Sequence, residues 1–413
     1  MKKIIFLLCL ILLLSSCSIK DAENDPKDNT ATEKKTEQKI TAPAPVGEYR
    51  AVWINYNELS MKGESGGTDE SFKNKISGMF KNISDFGLNT VIVHVRPFSD
   101  SFYKSELFPW SSYLTGEQGK SPNYDPLKII TEQAKAYNLN VEAWINPYRV
   151  SYKNTFDDLS ENNPARQWHQ ENPENDDLIE IDKGIFYNPS SRRAQKLIID
   201  GIREIVKNYD ISAVHMDDYF YPSTEAGIDA SQYSDYLNSG GTADLAEWRR
   251  QNVNAFVSGM YAAIKAINKN VRVVISPAGD IEKNYTNQYA DIKEWCQGSG
   301  YLDIIMPQLY YGFNNSAKPF EKTAKEWEQA IIHSDVKFCF GMAFYKSGKQ
   351  DDYAGSGINE WCENTDICER QLNVMRAMKG YYGFAVYSYS YLFSDNMSEN
   401  AEKEFQNLKN MIQ

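Results

Sequence analysis

The chain has 413 residues, 42% of them hydrophobic and 13% aromatic, with 27 Tyr and 8 Trp. A net charge of −12 repels phosphate backbones and excludes nucleic acid as an expected partner. The sequence holds neither GxGxxG nor GxxxxGK[ST], so it carries no phosphate-binding fingerprint.

The chain opens with "MKKIIFLLCLILLLSSC", two lysines and an apolar run from Ile4 to Leu14. That run is short for a bilayer span and has the layout of a secretory signal, expected over 1–16. Leu14-Ser15-Ser16-Cys17 looks like a bacterial lipobox. Acyl chains on Cys17 would hold the protein on a membrane without a transmembrane helix. The expected location is the periplasmic face or the cell surface of a bacterium. Residues 18–47 are polar, charged and proline-bearing, too poor in apolar area to fold. The lipidated cysteine and this tether therefore make up 17–47, and the folded domain is expected over 48–413.

From residue 48 short β-branched runs alternate with longer segments of helical period. The strands read are Arg50–Asn55, Thr90–Pro97, Asn140–Pro147, Ile211–Asp217, Val271–Pro277, Leu302–Leu309, Val336–Phe344 and Tyr382–Tyr389. The helices between them are "SFKNKISGMFKNISDFG", 126–137, "RRAQKLIIDGIREIVKNY", 243–267, 286–297, 317–333, 366–379 and 398–411. Eight of each in strict alternation predict a (β/α)8 barrel. An open doubly wound sheet would need a Gly-rich first turn, which is absent.

Such barrels carry their site at the C-terminal ends of the strands. Those ends hold Asn55, His94, Arg96, Trp144, Asn146, Arg149, His215, Asp217, Asp218, Tyr219, Ser276, Asp280, Gln308, Tyr310, Tyr345 and Tyr387. Hydrogen-bonding groups and flat rings in a shared mouth suit a carbohydrate. Glu142 shares a strand face with Trp144 and Asn146, and a charge there needs a partner, for which Arg96 is a candidate. His94 and His215 are either satisfied core groups or contacts for a sugar hydroxyl, with no second His at metal spacing. No cofactor or metal is expected. Cys339 reads as an inert core thiol, and Cys362 and Cys368 are close enough for either a local disulfide or two free thiols.

Adjacent acids at the end of strand four, in "AVHMDDYFYP", are the candidate catalytic pair. Two close carboxyls split their pKa values, and the one left protonated can act as a general acid. Strand seven has no acid until Asp351, which departs from the common arrangement of one carboxylate on each of two strands. A substrate-assisted route is the alternative, in which the sugar's own 2-acetamido oxygen attacks. By analogy with such barrels Asp218 is the acid/base and Asp217 orients the acetamido group. An inverting mechanism with a third acid, Glu142 or Asp280, stays open.

The segments "EYRAVWIN", "VHVRPFSDSFYKSELFPWSSYLTG", "VEAWINPYRVS", "FYNPSSRRAQKLIIDGIREIVKNYDISAVHMDDYFYP", "VISPAG" and "DIIMPQLYYGF" together resemble the glycosyl hydrolase-like 10 family over about residues 48–390. The resemblance implies a glycosidase-like barrel in an exported or lipid-anchored bacterial protein. It also implies hydrolysis of cell-wall glycan, with peptide-free peptidoglycan as the expected substrate. Asp217 and Asp218 match the family's aspartate pair. Asn146, Tyr148 and Arg149 match its "NPYR" segment, and Gln308 and Tyr310 its strand-six segment. Ala278 stands where a larger residue is expected. Two other functions are kept: a glycosidase for an environmental or dietary polysaccharide, and a glycan-binding lipoprotein without turnover.

Overall fold

A computed structural model describes residues 44–64, 67–331 and 335–413. The signal, Cys17 and the tether up to residue 43 lie outside the described residues. Eleven strands occur among them: β1 (Tyr49–Ile54), β2 (Thr90–Arg96), β3 (Asn140–Ile145), β4 (Arg149–Ser151), β5 (Leu178–Ile181), β6 (Gly184–Tyr187), β7 (Ala213–Met216), β8 (Arg272–Ile275), β9 (Ile304–Ile305), β10 (Lys337–Met342) and β11 (Tyr381–Val386). Eight of these close a parallel barrel in the order β1-β2-β3-β7-β8-β9-β10-β11, and β11 pairs back onto β1 through Tyr49 and Gly383. This is the (β/α)8 barrel that the alternation predicts.

The helices form where local chemistry starts and stops them. Asp69–Phe86 opens on a reciprocal Thr68–Ser71 capping box and ends at Gly87, whose φ of 100° suits only glycine well. Its buried face is Phe72, Ile76, Met79, Phe80, Ile83 and Phe86, spaced at the helical period. Arg192–Asn208 is capped by Ser191 and buries Ile198, Ile202 and Ile205. These faces cover the outside of the strands.

Alternation along the strands makes two cores. Val52, Ile54, Val214 and Met216 face the helices. Tyr49, Ala51, Trp53, Ile92, Trp144, Ala213, Val274 and Cys339 fill the barrel interior. Gly341 belongs to this arrangement: a Cβ there would meet Trp53 at 3.0 Å and Tyr310 at 3.2 Å.

Several elements differ from expectation. The strand read over 302–309 shortens to Ile304–Ile305, because Pro307 has no N–H for the ladder; isolated bridges at Gln308 continue it. The helix read over 286–297 divides into Ile281–Asn287 and Ile292–Gln297 around Tyr289, which takes a φ of 54°. The antiparallel sheet β4-β6-β5, which lies between β3 and the helix Arg192–Asn208, was not anticipated. Cys362 and Cys368 are free thiols, and the backbone N–H of Cys368 is bound by Glu404. Among the described residues no helix is long and apolar enough to cross a membrane.

Candidate active site

The strand ends open into a cup of about 680 Å³. Its lining includes Asn55, Trp144, Asn146, Asp217, Asp218, Tyr219, Gln308, Tyr310 and Tyr387, which the topology draws from five strand ends. Three exposed rings, Tyr152, Tyr219 and Tyr391, stand in its wall.

Asp217 continues the inward face of β7 and is 4% exposed. Its Oδ2 accepts from Trp144 Nε1 at 3.3 Å. Burial, then the neighbouring Asp218, pushes its carboxyl well above the usual range, against the pull of Trp144 and of the Arg149 charge. Asp218 is partly exposed and is also raised, by burial. Gln308 Nε2 reaches its Oδ1 at 3.4 Å and holds the Ser276 carbonyl at 2.9 Å. Both acids thus resist ionising, and a pair of this kind can retain a proton toward neutral pH.

Trp144 stacks on His94 with ring centres 3.6 Å apart and planes 11° from parallel. Burial holds His94 well below the ordinary imidazole range, which favours its neutral form. Both its ring nitrogens, Asn146 Oδ1 and Asp217 Oδ1 lack a hydrogen-bond partner of good geometry in the chain. Four buried polar atoms of one cup left in this way fit a polar ligand that can bond them.

Four residues read as substrate contacts do not line the cup: Arg96, Tyr148, Arg149 and His215. Arg96 is turned out by a bulge. The register of β2 on β3 shifts between His94, opposite Trp144, and Arg96, opposite Ile145. Arg96 therefore takes the outward side of Ile145, where its guanidinium lies 4.9 Å from the Phe108 ring centre and bonds the Pro147 carbonyl. It cannot be the partner of Glu142. That partner is His215, whose Nδ1 lies 3.0 Å from Glu142 Oε2 beneath the floor and whose Nε2 lies 3.0 Å from Oγ of Ser276, a residue of the cup lining. Tyr148 is buried against Phe256, because its carbonyl is bound by Tyr187 and the chain leaves the barrel to form β4. Arg149 lies behind the wall, 4.5 Å from the Tyr152 ring centre and 5.2 Å from that of Tyr219.

The third acids considered for an inverting route are not in the cup either. Glu142 is under the floor, and Asp280 caps the helix Ile281–Asn287 and pairs with Lys318 at 3.1 Å. Ala278 also stays out of the lining. The third carboxyl that does line it, beside Asp217 and Asp218, is Glu58, in the loop after β1. Glu58 is occupied: it accepts from Ser388 Oγ at 3.0 Å and from the backbone N–H groups of Ser390 and Asn55. No sequence pattern marks Glu58. Trp53, by contrast, sits two residues before Asn55, and the period of two alone places it on the inner face. Among the described residues no group of three His, Cys, Asp or Glu is arranged to hold a metal ion.

The family model described as glycosyl hydrolase-like 10 matches residues 48–354. The chain belongs to the glycosyl hydrolase-like 10 family. As a member it is an enzyme, a glycoside hydrolase. It is 35% identical over 349 residues to glycosyl hydrolase YngK of Bacillus subtilis, covering 80% of this chain and 67% of that protein. It is 30% identical over 336 residues to glycosyl hydrolase DigH of Escherichia coli K12, covering 75% of this chain and 74% of that one. Among solved structures, the glycoside hydrolase domain of PgaB (BpsB) from Bordetella bronchiseptica superposes with a TM-score of 0.57 at 11% identity, over 87% of this chain and 99% of that one. At that identity the likeness is one of fold. In this glycosyl hydrolase-like 10 member the acid pair and all of the cup lining except Tyr387, Ser390 and Tyr391 fall inside the matched span.

Proposed function

We propose that the protein hydrolyses a β-linked glycan containing N-acetylhexosamine, with peptide-free peptidoglycan strands as its substrate. The observation that carries this reading is the pair Asp217 and Asp218 in one cup, both raised in pKa, beside the stacked Trp144. Asp218 is the more accessible of the two and serves as the acid that protonates the leaving oxygen. Asp217, deeper and bonded by Trp144, orients the acetamido group, whose own oxygen attacks the anomeric carbon. That oxygen's bond to the anomeric carbon forms as the glycosidic bond breaks, and water later opens the cyclic intermediate with Asp218 as base. Asn146 and Tyr310 bond sugar hydroxyls, and Trp144 forms part of the floor.

Acylation of Cys17 and anchorage at a bacterial membrane belong to the same proposal. A Cys17→Ala protein is expected in the soluble fraction while the parent sediments with membranes.

The deciding experiment is mass-spectrometric product analysis after incubation with peptide-free cell-wall strands. Cleaved N-acetylated oligosaccharides are expected from the parent protein and none from Asp218→Asn. Cleavage only of sugars that lack a 2-acetamido group would defeat the mechanism. Substrates with activated aryl leaving groups, which need little protonation, should be partly rescued in Asp218→Asn but not in Asp217→Asn.

A further inference from the structure

Beside the cup lies a second, larger cleft of about 1050 Å³, formed by the segment after β2, by β4 and by the loop that follows β4. Tyr152 lines both hollows. Phe98 and Tyr113 line the second, and each packs on Tyr56, which lines the cup, with ring centres 5.3 and 4.6 Å apart. Phe98 also meets Tyr152 at 5.1 Å. Four rings thus make one continuous sill between two polar hollows. Tyr152 is 55% exposed, and the Arg149 guanidinium behind it holds the ring in place.

The second cleft has a built floor. Asp100 is 2% exposed, takes Gln118 Nε2 on one oxygen at 3.3 Å, and has no partner of good geometry on the other. Gln118 is fixed in turn, because its Oε1 accepts from the Ser160 N–H at 3.0 Å and from Asn163 Nδ2 at 3.2 Å. The lining carries four basic and four acidic side chains. Balanced charge of this kind does not select a polyanion or a polycation. Flat rings at the entrance with fixed donors and acceptors beyond suit uncharged hydroxyl and acetamide groups on pyranose rings.

We propose that this second cleft binds further pyranose units of the glycan whose scissile bond lies in the cup, so that the enzyme cuts within chains rather than at their ends. The inference rests on the glycan-hydrolase reading of the cup. An enzyme that releases terminal sugars needs a closed pocket, whereas here the sill leads onward from the acid pair to a hollow larger than the cup itself.

Calorimetric binding to the Asp218→Asn protein tests this without turnover. The probes are β-1,4-linked N-acetylglucosamine oligomers from dimer to octamer. Affinity is expected to rise about tenfold or more between tetramer and octamer, the equivalent of one to two well-stacked rings. Asn162 is an exposed residue of the second cleft. Adding Asn162→Trp places a bulky side chain in the cleft and should cut the gain with length, and adding Tyr113→Ala should reduce it too. Affinity that is flat with length, or that falls equally for dimer and octamer in Asn162→Trp, overturns the proposal. An octamer preference with no hydrolysis by the parent protein would refute the enzymatic reading alone. Hydrolysis with equal affinity for dimer and octamer would refute only the second cleft.

Discussion

The indole Nε1 of Trp144 donates to Oδ2 of Asp217 across 3.3 Å, and the same indole lies flat on His94. The bond favours the charged carboxylate and opposes burial and Asp218, which both raise its pKa. In Trp144→Phe a smaller aromatic ring is left and the donor goes. Asp217 then rises further, so the acid limb of the pH–rate profile should move to higher pH. At neutral pH kcat/KM is expected to fall about tenfold, or ~1.4 kcal/mol, as for one lost hydrogen bond to a charged group. A profile that does not move would show that the contact does not set the ionisation of the pair.

The raised acids also make a stability statement. A carboxyl whose folded pKa lies above its unfolded value stabilises the fold fully below the unfolded value, near pH 4. That contribution is lost as pH rises through the folded value. Asp217 is of this kind, and Asp218 adds in the same direction. Asp217→Asn keeps an amide oxygen for Trp144 and removes the charge. It should match the parent protein near pH 4 and exceed it by about 1–2 kcal/mol at pH 7–8, the usual scale of a function-for-stability exchange. Urea unfolding at both pH values checks this. Activity should fall by about 10²–10⁴ in the same variant. Equal stability at both pH values would mean that the carboxyl ionises at no cost.

The barrel was legible because its signals are local and repeated. The helical period of Phe72, Ile76, Phe80 and Ile83 reads without tertiary knowledge, as does the alternation of Ala51 and Trp53. The acid pair was legible because β7 is short and ends at Met216, directly before Asp217. Arg96 was not, because one bulged residue exchanges the faces of everything beyond it and leaves no mark in composition. Tyr148 and Arg149 looked like strand-end residues because the β4–β6 pairing that draws them away depends on Phe186, far along the chain. Glu58 belongs to an irregular loop, and its contacts with Ser388 and Ser390, far along the chain, hold it in the cup.

Arg149 acts on the site from behind. Its guanidinium lies near the centres of the Tyr152, Phe186 and Tyr219 rings, at 4.5, 5.2 and 5.2 Å. Such contacts each contribute about 0.5–1 kcal/mol at partly exposed sites. Arg149→Met keeps the stem and removes the charge, which frees two rings of the wall. KM for the glycan should rise about three- to tenfold while kcat changes by less than a factor of about two. Separate kcat and KM values for one defined oligosaccharide decide it. A fall in kcat with constant KM would mean that the Arg149 charge acts on Asp217 rather than on the wall.

Beneath the floor, His215 joins Glu142 to Ser276, with 3.0 Å on either side. All three groups are fully buried. Ser276 in turn offers its carbonyl to Gln308, the residue that reaches Asp218. Removing the imidazole leaves a carboxylate buried without its hydrogen-bond partner, which costs about 3–5 kcal/mol when a buried pair is broken. His215→Ala should therefore lose about that much stability in urea unfolding. Replacing both members by apolar residues of similar volume, Glu142→Leu with His215→Phe, should recover most of it, because no charge is left to satisfy. If the barrel floor also positions Gln308 for the acid, the stable double variant will still show reduced kcat. A double variant with full stability and full kcat would make the relay purely a packing device. A single His215→Ala variant as stable as the parent would show that Glu142 finds its compensation elsewhere, with Arg272, whose charge acts on Glu142 from the same end of the barrel, as the group to test next.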